Sequence, residues 1–345
     1  MNLYAESDPD VQVSGRGVSG PESMTGPEGP IPDPDVSIPA FLPFYQHLVP
    51  RSSVVAALRE VMTPVTRPER REAVVDTIWG ELLTAVEGHS FRTLIGEFHT
   101  FREGLGLPMT ADVDEALQRF RRHLGAPGTC RRIADTYPVL RQRLATLADN
   151  SLDAYTDMFA AYTADQETLR AEGLTPRPAA AGELIEDIFL TGSDPHNDNR
   201  QVIGVRLTSG TRLIFKPRAL ATDSFVRDLY AAADPYLTFS LRDCLPMSVT
   251  SGSHGWQQFI PSEPMTSPDQ PARYFYRFGA LCAILSAIGA SDLHDENLLA
   301  HGENPCVIDT ETILRPDAGV ENDTLPHLLI NHVKLSVVST MLVPR

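Results

Sequence analysis

Between about residues 50 and 172, apolar side chains return every three or four positions. Val74, Val75, Ile78, Trp79, Leu82, Leu83 and Val86 form one such stripe, Val113, Leu117, Phe120 and Leu124 a second, and Leu140, Leu144 and Leu147 a third. That period predicts amphipathic helices sharing a core. Pro64, Pro68, Pro108 and the stretch Gly125 to Pro127 separate them. After a loop from Gly173 to Gly182 the period changes. Val202, Val205 and Leu207, then Leu213 and Phe215, flank Thr208-Ser209-Gly210-Thr211, which predicts two strands joined by a hairpin. A helix is predicted over about 271–289, from Phe275, Phe278, Leu281, Cys282, Leu285 and Ile288, with Gly289 ending it. Short apolar segments at Leu298 to Ala300 and Val307-Ile308 then flank the turn His301-Gly302-Glu303-Asn304-Pro305.

Residues 1–38 break every one of these patterns. They are rich in Pro, Gly, Ser, Asp and Glu without apolar periodicity, the composition of a disordered tail. The tail holds a formal G-x-G-x-x-G at Gly15, Gly17 and Gly20, but Pro21, Gly26 and Pro27 follow where dinucleotide binding needs a helix. The motif is therefore set aside. The 345 residues carry 45 acidic and 29 basic side chains, a formal charge of −16, which disfavours nucleic acid as a partner. No apolar run reaches the length of a membrane span, and the first residues lack a secretory signal, so a cytoplasmic location is expected. Cys130, Cys244, Cys282 and Cys306 show no C-x-x-C, so they read as small core residues rather than disulfide or zinc partners. His89, His99 and His123 have no ligand-like neighbours in the sequence.

Of the 29 basic residues only Lys216 and Lys334 are lysine. In a chain that favours Arg, a Lys at the end of a predicted strand is a candidate for work a guanidinium cannot do. Protein kinases present a strand Lys to nucleotide phosphates, a catalytic Asp followed five residues later by a metal-binding Asn, and a second metal-binding Asp beyond. Lys216, Asp292, Asn297 and Asp309 occur here in that order. The spacing has a mechanical reason. One loop aims a base at the attacking hydroxyl while its far end meets a magnesium ion, and a tight hairpin returns the second acid to the same ion. No G-x-x-x-x-G-K-[ST] is present, which excludes a P-loop.

Longer motifs carry a resemblance. Gly-Ser-Asp-Pro-His-Asn-Asp-Asn-Arg-Gln-Val (192–202), Leu-Ile-Phe-Lys-Pro-Arg (213–218), His-Gly-Trp-Gln-Gln-Phe-Ile (254–260), Ser-Asp-Leu-His-Asp-Glu-Asn-Leu-Leu-Ala-His-Gly (291–302) and Val-Ile-Asp-Thr-Glu-Thr (307–312) resemble the dehydratase domain of class II lanthipeptide synthetases, the LanM type. The resemblance extends from about residue 41 onward. It implies an α+β fold: a helical scaffold over 39–172, then a kinase-like (lipid-kinase-like) bilobal core, its N-lobe over 173–270 and the start of its C-lobe over 271–345. It further implies use of ATP and Mg2+ to phosphorylate Ser and Thr of a ribosomal precursor peptide, with a leader and a Ser/Thr/Cys-rich core, before phosphate is eliminated to give dehydroalanine or dehydrobutyrine. Lys216 would then contact the nucleotide phosphates. Asp292 and His294 would sit at the transferred phosphoryl group, and Asn297 and Asp309 would hold magnesium. Glu311 would share a face with Asp309 if the strand continues, and so tune the metal or serve elimination. Asp194 and His196 match a family motif associated with the active site, whereas His301 reads as an ordinary loop residue.

The chain departs from the family pattern before Arg200, where a Gly is usual, and at its end. The family continues beyond the position of Arg345 with the Arg and Thr used in elimination and with a zinc-bearing cyclase. The expectation is thus a truncated C-terminal lobe, completed if at all by a separate chain and a LanC-like cyclase. From a different class stands the alternative of a catalytically incompetent remnant that binds the precursor peptide.

Overall fold

A computed structural model describes residues 41–106, 113–176, 182–193, 200–314, 324–334 and 336–343. The tail expected over 1–38 lies outside them. The first part is helical: α1 (Leu42–Leu48), α2 (Arg51–Met62), α3 (Arg71–Gly104), α4 (Val113–Leu124), α5 (Thr129–Thr136) and α6 (Pro138–Ala171). Two further prolines, outside those read as breakers, stand at helix starts. Pro50 is the extended residue before α2, and Pro138 opens α6, where its missing N–H costs nothing. The stripe of α3 runs further than the sequence reading took it, through Leu94 and Phe98 after Val86, and all of these are buried. It packs on α2 and α6. The helical histidines are used locally: His123 stacks on Phe101 at 4.9 Å, and Nδ1 of His89 lies 3.0 Å from the Ala85 carbonyl.

Against this bundle lies an antiparallel sheet in the order β1-β2-β3-β5-β4, built from β1 (Ile185–Leu190), β2 (Ile203–Leu207), β3 (Arg212–Lys216), β4 (Ser248–Ser251) and β5 (His254–Gln258). The predicted hairpin forms between β2 and β3, with Gly210 at φ 86°, a conformation L side chains rarely adopt. Helix and sheet share one apolar core that runs from Phe41 to Trp256. The chain is α+β, helical first and then sheet-bearing, as expected.

One polar knot fastens the two layers. Asp165 on α6 is buried, and its carboxylate accepts from Ser251 Oγ at 2.9 Å and Trp256 Nε1 at 2.9 Å, with His254 Nε2 at 2.6 Å. These partners all belong to the β4–β5 hairpin or its turn, and β5 is the strand that pairs with β3. Removing the acceptor strands a fully buried indole N–H, at a cost of about 1–3 kcal/mol for each donor left unmet in the interior. Asp165→Ala is therefore expected to lower unfolding stability by about 2–3 kcal/mol in urea titrations. A change under about 0.5 kcal/mol would deny the knot its role.

The second core gathers around α8 (Gln270–Ala287), which follows α7 (Ala221–Ala233) and precedes the hairpin β6 (Leu298–His301) and β7 (Asn304–Val307). Val226 and Tyr230 of α7 join Leu281 and Leu285 of α8 there, with Leu293, Val307 and Leu342. Gly289, at φ 66°, ends the helix where the sequence placed its stop. A last helix, α9 (Leu325–Lys334), carries exposed Leu325, Leu328, Leu329, Ile330 and Val333. No helix among the described residues is long and apolar enough to cross a membrane.

The cysteines are unpaired, and Cys130, Cys244 and Cys306 are buried. Burial pushes the Cys306 thiol up to about 12 and the Cys244 thiol higher still, with further upward pressure on Cys306 from Asp243. Thiolate is the reactive form. Native protein treated with a thiol reagent at pH 8 is thus expected to label first at the half-buried Cys282, with Cys244 and Cys306 reacting only on unfolding. Rapid labelling of Cys306 in the native state would contradict this packing.

Candidate functional site

The site lies where the sheet's third strand meets the segment after β7. Lys216 is the last residue of β3, buried at 4% exposure, opposite Gly255 of β5. Any Cβ at Gly255 would come within 2.5 Å of Leu220 and 2.9 Å of the Val249 carbonyl, so only glycine lets the strands close at this point. The Lys216 ammonium donates to the Ile308 carbonyl at 2.6 Å and lies 3.5 Å from Oδ2 of Asp309. Burial pulls it below its ordinary pKa, and the Asp309 and Asp223 carboxylates oppose that pull.

Two residues on, Arg218 faces three carboxylates at once. It donates to Oδ1 of Asp309 at 2.6 Å, pairs with Glu311 at 3.3 Å, and approaches Asp223 at 3.8 Å. Asp223, in the first turn of α7, is fully buried. It accepts from Gln257 of β5 at 3.0 Å and from the hydroxyl of buried Thr310 at 3.0 Å. The Asp309–Glu311 segment is thereby held to both the sheet and α7.

The loop between α8 and β6 supplies the remaining side chains. Asp292 adopts φ 62°, an unusual conformation for a residue other than glycine that Asp tolerates better than most. Its neighbours fix it: Leu293 is buried and its N–H donates to the Thr340 carbonyl at 2.9 Å, while Ser291 N–H reaches the Thr312 carbonyl at 3.1 Å. The Asn297 amide nitrogen donates to the Asp292 carbonyl at 2.8 Å, which leaves the amide oxygen as the atom Asn297 can offer a cation. The Asn297 carbonyl accepts from Ile308 N–H at 3.0 Å, setting Asn297 beside the residue that precedes Asp309. His294 Nε2 lies 3.7 Å from Asp292, and its Nδ1 accepts from the Glu296 N–H at 3.3 Å, which assigns the neutral ring's proton to Nε2.

Lys216, Asp309 and Glu311 thus share one ion-pair cluster with Arg218, and the loop that carries Asp292, His294 and Asn297 is joined to it by the backbone bond from Ile308 N–H to the Asn297 carbonyl. Asp194 and His196 lie outside the described residues. The route to Glu311 differs from the one expected. The strand does not continue: β7 ends at Val307, and the Asp309 carboxylate accepts from the Glu311 N–H at 3.0 Å, which bends the chain into a turn. Glu311 reaches Asp309 through that turn and through Arg218, not through strand alternation. Arg218 and Asp223 were missed as site residues. Their one sequence signal is the Lys-Pro-Arg step out of β3 followed, five residues later, by an acid in a helix's first turn. His301, by contrast, is a local residue whose Nδ1 lies 3.0 Å from the Pro261 carbonyl.

Among the described residues no three His, Cys, Asp or Glu side chains converge as a metal cage. One carboxylate and one amide oxygen form a hard, sparse donor set that fits magnesium, which takes few protein ligands and completes its shell with water and phosphate oxygens.

Residues 137–345 match a family described as a domain of unknown function, DUF4135, and the chain belongs to that family. It is also 24% identical over 290 residues to the lacticin 481/lactococcin biosynthesis protein LcnDR2 of Lactococcus lactis subsp. lactis. That alignment covers 80% of this chain and 30% of the relative, so the chain spans under a third of the relative's length. Both findings bear out the LanM-type relationship read from the motifs.

Proposed function

We propose that this chain serves lanthipeptide biosynthesis by carrying a kinase-like site that transfers phosphate from ATP to Ser or Thr of a precursor peptide, the first half of a dehydration. The observation that carries this reading is the meeting of Lys216, from the sheet, with Asp309, just after β7, whose neighbour Ile308 bonds the Asn297 carbonyl. In this reading Lys216 places one positive charge against the nucleotide phosphates. Asn297 and Asp309 hold magnesium, which when bound neutralises charge on the phosphates. Asp292 accepts the proton of the attacking hydroxyl, and His294, with Nε2–H turned toward Asp292, orients that carboxylate. Glu311 shares the Arg218 guanidinium with Asp309 and is available for the later removal of phosphate. In a bilobal reading, the separate apolar cores of the sheet and of α8 would form the two walls.

A second reading, peptide capture without turnover, draws on one observation, the exposed apolar residues of α9. Mass spectrometry of a Ser/Thr-containing precursor peptide, incubated with the full chain, ATP and magnesium, separates the two. A gain of phosphate, or loss of water by way of it, supports transfer. An unchanged peptide that nonetheless co-elutes with the chain supports capture and sinks the proposal.

A further inference from the structure

Arg218 is the least expected member of the site. Its guanidinium sits on Oδ1 of Asp309 at 2.6 Å while Lys216 lies 3.5 Å from Oδ2, so each oxygen of the carboxylate assigned to magnesium already faces a cation. Glu311, at 3.3 Å, shares the same guanidinium. Arg218 is not needed to place Asp309. Lys216 holds the Ile308 carbonyl, the Glu311 N–H holds the Asp309 carboxylate, and Thr310 is tied to fully buried Asp223. What Arg218 adds is charge. It neutralises an acid pair that would otherwise attract a divalent ion before any nucleotide arrives.

We propose that Arg218 is a positioning residue that acts as a resident counter-ion. It occupies Asp309 in the metal-free site, and a divalent cation must displace it from Oδ1. Asp223, 3.8 Å from the guanidinium, is the partner toward which it can retreat, within reach of phosphate oxygens brought by the nucleotide. Metal and nucleotide binding are thereby coupled: the metal alone competes with Arg218, whereas the nucleotide offers the displaced guanidinium a new anionic partner. The inference rests on the assignment of Asp309 to the metal.

The test is Mn2+ binding to the full chain, titrated by electron paramagnetic resonance with and without a non-hydrolysable ATP analogue, for wild type, Arg218→Met, Arg218→Lys and Asp309→Asn. Wild type is expected to bind Mn2+ at least tenfold more tightly when the analogue is present. Arg218→Met is expected to bind Mn2+ alone at least fivefold more tightly than wild type and to lose most of that enhancement. Arg218→Lys, which keeps a charge but not the fork, should fall between them and supplies the comparison if the Met variant does not fold. Mn2+ affinity in the folded Arg218 variants equal to or weaker than wild type, with Asp309→Asn losing the site, overturns the counter-ion role alone. Unchanged Mn2+ binding in Asp309→Asn overturns the metal assignment and the inference with it.

Discussion

Replacing Lys216 by methionine is expected to lower phosphoryl transfer to a cognate peptide at least a hundredfold, close to the loss of ~2.7 kcal/mol that follows removal of one preorganised charge-stabilising donor. The side chain is buried, so its charge acts where water screens little. Burial depresses its pKa, and the Asp309 and Asp223 carboxylates oppose that shift. Methionine matches the aliphatic stem and removes only the ammonium. The change also orphans the Ile308 carbonyl, which now receives 2.6 Å from Nζ, and this is expected to cost about 1–3 kcal/mol of stability. Nucleotide binding, followed by calorimetry on protein that remains folded, separates the two effects. A folded Lys216→Met variant that retains more than about a tenth of the transfer rate would remove Lys216 from the site, since the deficit would then be under ~1.4 kcal/mol.

The parts of this molecule that follow local rules were readable in its sequence. Stripes at three and four residues located α3, α4 and α6, a Ser-Gly turn located the β2–β3 hairpin, and Gly289 located the end of α8, because each signal is settled within a few residues. What the sequence hid depends on distant partners. Asp165 sits on the long helix α6 like any polar residue, and only the fold brings a tryptophan, a histidine and a serine from 86 to 91 positions away onto its carboxylate. Asp223 looks like an ordinary acid favouring a helix N-terminus, yet it is fully buried beneath the site. Arg218 stands in a quoted motif, but arginine is the common cation of this chain, so its composition gave no reason to single it out. The strand expected to run through Glu311 failed for a local reason: Asp309, a turn former, captures the backbone N–H two residues on. The same capture turns the chain so that Asp309 and Glu311 both reach one guanidinium, that of Arg218.

Asp292→Asn is the sharper test of chemistry, because it changes one atom type in a backbone that asparagine accepts. The φ of 62° that would penalise alanine or a branched residue is readily adopted by Asn, and the interactions holding the loop run through the backbone of residues 291 to 293 and the Asn297 amide. Fold, loop position and metal ligands are therefore expected to persist. The base is not: an amide cannot take the proton of the attacking hydroxyl, and such groups contribute about 10²–10⁴ to rate. The expected result is a kcat lowered by roughly 10²–10³, with KM for ATP and the magnesium requirement near wild type. Asn297→Ala should behave in the opposite sense, raising the magnesium requirement, because it removes an oxygen donor and not a proton acceptor. Initial rates of phosphopeptide formation across a magnesium series distinguish the two patterns. If Asp292→Asn instead raises the magnesium requirement at undiminished limiting rate, Asp292 is a metal ligand and not the base.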